Sequence, residues 1–191
     1  MTLIAFTGER GSGKSEAARI CVDEFGFTEF KFADPLKEML RTMYRVCGLD
    51  EETIERKIEG DLKETPCSYL NASTPRRAMQ TLGTEWRNMI SPTLWSDQFV
   101  NRVQSTDLSR ITCSDYRFPH EGEALSILSA TTVRIERPSR LALGDDYAAH
   151  DSESHFRNLP VEGVIVNDGT LAEFHTKVRA FIAGQMEGRK A

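Results

Sequence analysis

A chain of 191 residues with 39% hydrophobic and 28% charged side chains has the composition of a globular domain, too apolar for a disordered chain and too short for two independent domains. Its net charge of −5 argues against general affinity for a polymeric nucleic acid, and no run approaches the roughly 20 apolar residues of a membrane span. The four cysteines, Cys21, Cys47, Cys67 and Cys113, form no CxxC pair, so neither structural zinc nor a disulfide framework is expected; reduced thiols in the cytoplasm are.

The first apolar run, TLIAFT at residues 2–7, is rich in β-formers and is cut off by Gly8, as in a buried parallel strand. It is too short for a signal peptide and leads directly into glycines. From Lys14 to Phe25 the residues Ala17, Ala18, Cys21 and Phe25 recur at helical spacing, and Gly26 is a natural stop. A second strand is expected over 27–32. A helix follows with Asp34 as N-cap, Pro35 at its first position and a stripe of Leu36, Met39, Leu40, Met43 and Cys47 up to Gly48. Residues 49–74 are charged and weakly periodic, consistent with a short helix and loops. Helices are predicted near 75–89 and 93–104, a strand at 110–114, a helix at 120–129 and an alternating strand at 131–136. Residues 138–160 are polar and bounded by prolines, the pattern of a mobile loop. A short strand at 164–166 precedes a helix opened by the Thr170/Glu173 capping box and stopped at Gly184. No internal repeat is present. Strands alternating with helices imply an α/β fold with a mostly parallel sheet covered on both faces, and ligands bind at the carboxyl ends of such strands.

Directly after the first strand, Gly8-Glu9-Arg10-Gly11-Ser12-Gly13-Lys14-Ser15 fits G-x-x-x-x-G-K-[ST] in full. Glycines let the backbone curl and turn its N–H groups toward phosphates, and the following helix adds the positive end of its dipole. Gly8, Gly11, Ser12, Gly13, Lys14 and Ser15 are therefore the expected ATP-binding residues, with Lys14 reaching the β- and γ-phosphates and Ser15 offering a hydroxyl to Mg²⁺. The glycines do not make G-x-G-x-x-G, which disfavours a dinucleotide fold. Asp34 closes the second strand and is either a helix cap or a group facing the acceptor or the Mg²⁺ water shell. Asp115 and Arg117 follow the third strand; Asp115 suits Mg²⁺ through water and Arg117 suits the transferred phosphate, while a buried ion pair is the rival role. Around His150, Asp151 and His155 no third ligand of fitting spacing and no closed Cys/His set appears, so a metal site is not expected there.

Six further stretches, FADPLK (32–37), PRRAMQTLGTEWR (75–87), SDYRFPHE (114–121), RIERP (134–138), HDSE (150–153) and VNDGT (166–170), together with the phosphate loop, resemble the deoxynucleoside monophosphate kinases of the bacteriophage type. These are P-loop kinases related in fold to dephospho-CoA kinase. The resemblance implies a P-loop three-layer sandwich with core segments 1–34, 105–137 and 161–184, a helical acceptor-binding region over about 35–104 and a lid over about 138–160. It implies transfer of phosphate from ATP, with Mg²⁺, to a deoxynucleoside monophosphate. Asp34, Lys37, Arg76 and Arg87 become candidates for the acceptor and its phosphate, and Gln80 for a base edge. Arg137 and Arg140 become lid arginines that neutralise the transferring group. Trp86 and Trp95 are better read as core than as base-stacking residues. Met79 stands where leucine is expected, a conservative change, and 49–74 matches no motif of the family. A homodimer stays open. Two other functions also stay open: a kinase for a hydroxyl acceptor such as dephospho-CoA, gluconate or shikimate, with Asp34 as base, and an ATP-responsive binding module without turnover.

Overall fold

A computed structural model describes residues 1–138 and 156–187. Most of the 138–160 segment, with Arg140, His150, Asp151 and His155, lies outside those residues, as does the tail beyond 187.

Five parallel strands form one sheet: β1 (Thr2–Thr7), β2 (Thr28–Glu29), β3 (Arg110–Cys113), β4 (Thr131–Glu136) and β5 (Gly163–Val166). Their order is β2-β3-β1-β4-β5, so β1 is central, with Leu3 beside Ile111 and Phe6 beside Val133. Alternation along β1 explains why it reads as a continuous apolar run. Leu3 and Ala5 join a core on one face with Phe99, Val103, Ala124 and Leu125, whereas Ile4 and Phe6 join a core on the other with Ala17, Ile20, Phe174 and Val178. Helix α1 (Lys14–Phe25) and the last helix, α8 (Leu171–Glu187), cover the second face. Helix α7 (Pro119–Ile127) and the later part of α6 (Leu94–Gln104) cover the first. The result is the three-layer α/β sandwich expected of a P-loop kinase.

Two compact units partition the chain: Met1–Phe32 with Phe99–Ala191, and Ala33–Gln98. The second has its own core of Leu36, Leu40, Tyr44, Ile54, Ile58, Cys67, Met79 and Trp95. It contains α2 (Asp34–Val46), α3 (Glu51–Ile58), α4 (Pro75–Thr81), a π-helical stretch (Leu82–Trp86) and α5 (Arg87–Ile90). Asp50 and Thr74 cap α3 and α4, accepting the N–H groups of Thr53 at 2.8 Å and Arg77 at 3.1 Å. Trp95 is buried and its indole N–H donates to Leu82 O at 3.2 Å, which makes it a core residue; Trp86 is partly exposed beside it. Met79 fills the same core.

Four local expectations need correction. The second strand spans only Thr28–Glu29, because Phe32 N–H turns from the ladder to the Asp115 carboxylate at 3.0 Å. Asp34 is not an N-cap: Ala33 already has helical backbone angles and accepts from Lys37 N–H at 3.1 Å, so Asp34 lies inside the first turn. The buried stripe of α2 is Leu36, Leu40 and Tyr44, an i, i+4, i+8 row, while Met39 and Cys47 face outward. Gly184 does not stop α8, which runs to Glu187; a stop there requires a left-handed residue, and Gly184 has none of that geometry. Gly26 does, at φ 68°, and it ends α1. All four cysteines are free thiols, and among the described residues no helix is long and apolar enough to cross a membrane.

Candidate active site

The carboxyl end of the central strand β1 passes directly into the glycine loop and then into α1. Gly8 sits at φ 139°, and a Cβ there would come within 2.3 Å of Ile135 O on the neighbouring strand β4. Gly13 sits at φ 120°, and a Cβ would meet the Phe174 ring at 2.9 Å and the Asn167 amide at 3.1 Å. Side chains are excluded at both positions by geometry and by space. The turn closes with Ser12 N–H donating to Glu9 O at 3.1 Å, and the first amides of α1 open behind it. Ser12 Oγ is buried with no hydrogen-bond partner among the described residues.

Lys14, buried to 7% exposure, folds back over this loop; its ammonium donates to Gly8 O and Glu9 O, each at 2.6 Å. It is thus held against the loop by two backbone carbonyl acceptors. Ser15 occupies the exposed first turn of α1. Three polar side chains from distant sequence converge on the same loop. Asn167, just past β5, donates through Nδ2 to Ser12 O at 2.8 Å, and its own N–H is fixed on Glu136 O at 2.7 Å. Arg137, just past β4, donates to Gly11 O at 3.3 Å. Arg157 pairs with the Glu9 carboxylate at 2.8 Å.

Past β3, beside β1 in the sheet, come Asp115 and Arg117. Asp115 Oδ1 accepts from Phe32 N–H at 3.0 Å and from the Cys113 thiol at 3.2 Å, so one oxygen already holds the strand end together. Glu121, at the start of α7, accepts the N–H groups of Arg117 (2.6 Å) and Phe118 (3.0 Å) through one oxygen and thereby shapes the turn carrying Asp115 and Arg117. Burial, with the Asp115 charge adding to it, pushes the Glu121 carboxyl up to about 8.

The remaining predicted site residues lie in the Ala33–Gln98 unit. Lys37 pairs with Glu59 at 2.7 Å, and Arg76 with Glu64. Lys63 approaches the other Glu59 oxygen at 3.8 Å. Burial lowers the Lys63 ammonium below its usual range, with Lys37 and Arg76 repelling it further and Glu59 opposing. Arg87 contacts the Asn88 amide at 3.2 Å, Gln80 is half-buried on α4, and Asp34 is half-buried at the start of α2. Lys14, Ser15, Asp115, Arg117 and Arg137 therefore share one unit, while Asp34, Lys37, Arg76, Gln80 and Arg87 share the other. Sequence reading gave Asn167, Arg157, Glu121 and Lys63 no role. For Asn167 a signal was available: it follows a predicted strand, and the carboxyl ends of the later strands warrant the same inspection as the first three.

Among the described residues no three His, Cys, Asp or Glu side chains cluster as a self-sufficient metal site. Mg²⁺ held with a nucleotide's phosphates would need only a hydroxyl and a carboxylate from protein. Ser15 and Asp115 are groups of that type.

The deoxynucleotide monophosphate kinase family model matches residues 48–178. The chain belongs to the deoxynucleotide monophosphate kinase family. A protein of Acanthamoeba polyphaga mimivirus assigned as a deoxynucleotide monophosphate kinase is 32% identical, over 93% of this chain and 94% of its own length. An uncharacterized protein, ORF77, of Ictalurid herpesvirus 1 (strain Auburn) is 29% identical, over 95% of this chain and 70% of its own length. Among solved structures, a gluconokinase from Sinorhizobium meliloti shares the fold at a TM-score of 0.52 and 16% identity, covering 99% of this chain and 95% of that one. This kinase-family chain is a phosphotransferase, and its phosphate loop stands at the point where such sheets bind ligands.

Proposed function

We propose that the protein moves the γ-phosphoryl group of MgATP onto the phosphate of a deoxynucleoside monophosphate, giving the deoxynucleoside diphosphate and ADP. The observation that carries this reading is the closed glycine loop at the end of β1 with the Lys14 ammonium laid across it, in a member of this family. The acceptor is already an anionic phosphate oxygen, so no strong base is needed; the new P–O bond forms on it as the bond from the γ-phosphorus to the β,γ-bridging oxygen breaks. Catalysis is then positioning and charge neutralisation.

In this reading the backbone of Gly8, Gly11, Ser12 and Gly13 cradles the polyphosphate, and Lys14 exchanges its two carbonyl acceptors for β- and γ-phosphate oxygens. Ser15, and Asp115 through water, would hold Mg²⁺, which would supply positive charge to offset that of the phosphates. Arg117, Arg137 and Arg140 neutralise the transferring group. Asp34 and residues of the region 35–104 receive the acceptor: Arg76 and Arg87 its phosphate and Gln80 its base, with Asp34 and Lys37 facing it.

Lys14→Ala is expected to lower kcat/KM by on the order of 10³ with little change in thermal stability, since the loss falls on phosphate charge stabilisation. An ADP-release assay over deoxynucleoside monophosphates, ribonucleoside monophosphates and hydroxyl acceptors checks both enzyme and substrate. Undiminished turnover in the variant, or activity only toward a hydroxyl acceptor, would reject the assignment.

A further inference from the structure

Glu9 places a negative charge inside a loop that has to accept a polyphosphate. Its side chain is 23% exposed, so water screens it only in part, and it lies next to the carbonyl that now holds Lys14. Left alone, such a carboxylate would repel the incoming phosphates. Arg157 answers this charge from 148 residues away in sequence, donating through Nη2 to Glu9 Oε1 at 2.8 Å.

Arg157 is anchored on its C-terminal side. It belongs to the 3-10 turn Phe156–Asn158, immediately followed by Leu159, which is 3% exposed in the core. The Leu159 carbonyl accepts from Arg134 Nη2 at 3.2 Å, and the Pro160 carbonyl accepts from Thr132 Oγ1 at 3.4 Å. Both donors stand on β4, so the strand ties down the chain that directly follows Arg157. Arg157 itself is 62% exposed, and an ion pair so open to water adds little to folding. Its consequence lies in the charge that the loop presents.

We propose that Arg157 is a positioning residue of the phosphate loop: by holding the Glu9 carboxylate it cancels a negative charge at the loop and so sets the affinity for a nucleoside polyphosphate. The inference rests on the loop binding MgATP, as proposed above. Arg157 acts through Glu9, which separates it from arginines that touch the transferring phosphate.

The test is a double-mutant cycle on MgATP binding, read by calorimetry with the intact chain. Arg157→Ala is expected to weaken binding about five- to tenfold at low salt, and the loss should shrink as salt is added. Glu9→Gln should bind as well as or better than wild type. Glu9→Gln combined with Arg157→Ala should return to within about twofold of Glu9→Gln alone, and Arg157→Lys should recover most of the loss. Melting of the nucleotide-free protein should be the same in all four variants. An equal loss from Arg157→Ala in the Glu9→Gln background would show direct contact with nucleotide and overturn the inference, as would no loss in either background. Wild-type protein that fails to bind MgATP would reject the proposed function itself; bound MgATP without coupling rejects the inference alone.

Discussion

Glu121 is only 6% exposed, and it is the residue whose protonation the fold alters most clearly in the pH range of ordinary buffers. Burial disfavours its charged form, Asp115 adds to that, and the two backbone N–H groups on its oxygen oppose without prevailing, leaving the carboxyl at about 8. Because the folded value lies above the ordinary carboxyl value of 4.5, the native state keeps a proton that the unfolded chain gives up. Stability from this group is fully present below pH 4.5 and is lost as pH rises through about 8. Glu121→Gln keeps an oxygen for Arg117 N–H and Phe118 N–H but cannot ionise. Melting temperature measured from pH 5 to 9 should therefore fall less steeply in the variant than in wild type, with the gap widest at the alkaline end. Equal slopes would show that Glu121 is not the titrating group. None of this was visible in SDYRFPHE, where Glu121 reads as an acid in the first turn of a helix; only the packing of α7 shows that it is buried.

At the level of elements, legibility follows the range of the forces involved. Strand β1, helix α1, its Gly26 stop and strand β4 could be read directly, because a buried central strand and an amphipathic helix carry their pattern in adjacent residues. The phosphate loop was legible because its glycine and lysine spacing is itself a local pattern and its lysine returns only six residues, although the crowding that excludes side chains at Gly8 and Gly13 comes from Ile135, Phe174 and Asn167. Strand β2 was overestimated because a side chain 83 residues away, Asp115, takes over the N–H of Phe32. Asn167 and Arg157 reach the loop across 155 and 148 residues, a range at which spacing says nothing. The segment 49–74 was silent on function, yet its 3-10 turn, Asp61–Glu64, brings Lys63 close to Glu59, which also pairs with Lys37. An ammonium whose charged form is disfavoured by burial, with Glu59 and Glu64 attracting it and Lys37 and Arg76 repelling it, weakens the fold and is well suited to meet an anion. Lys63→Met should therefore raise the melting temperature slightly while raising KM for the acceptor by about tenfold, with KM for ATP unchanged. Steady-state kinetics with each substrate varied, alongside a thermal melt, checks both signs. A lower melting temperature with unaltered acceptor KM would leave Lys63 as scaffold.

For the molecule as a whole, the division of labour follows how the chain is threaded. The Ala33–Gln98 unit leaves the sheet-bearing unit after Phe32 and returns at Phe99, and those two rings stack at 4.2 Å with both side chains buried. Exit and re-entry are thus neighbours, and a short linker can join them. The sheet-bearing unit also owns all five strands, two hydrophobic cores, and the contacts that Lys14, Arg137, Asn167 and Arg157 make with the loop. The acceptor residues proposed above all lie in the other unit. Replacing residues 33–98 with a flexible linker of about six residues should therefore leave a protein that folds and binds MgATP within about tenfold of the full chain, because neither the loop nor its supports are removed. The same protein should transfer no phosphate to any monophosphate, having lost Lys37, Arg76, Gln80 and Arg87 together. Far-ultraviolet circular dichroism establishes folding, calorimetry measures MgATP binding, and the ADP-release assay measures transfer. A folded deletion protein that no longer binds MgATP would mean that nucleotide affinity depends on residues 33–98, and retained transfer would remove those residues from the acceptor site.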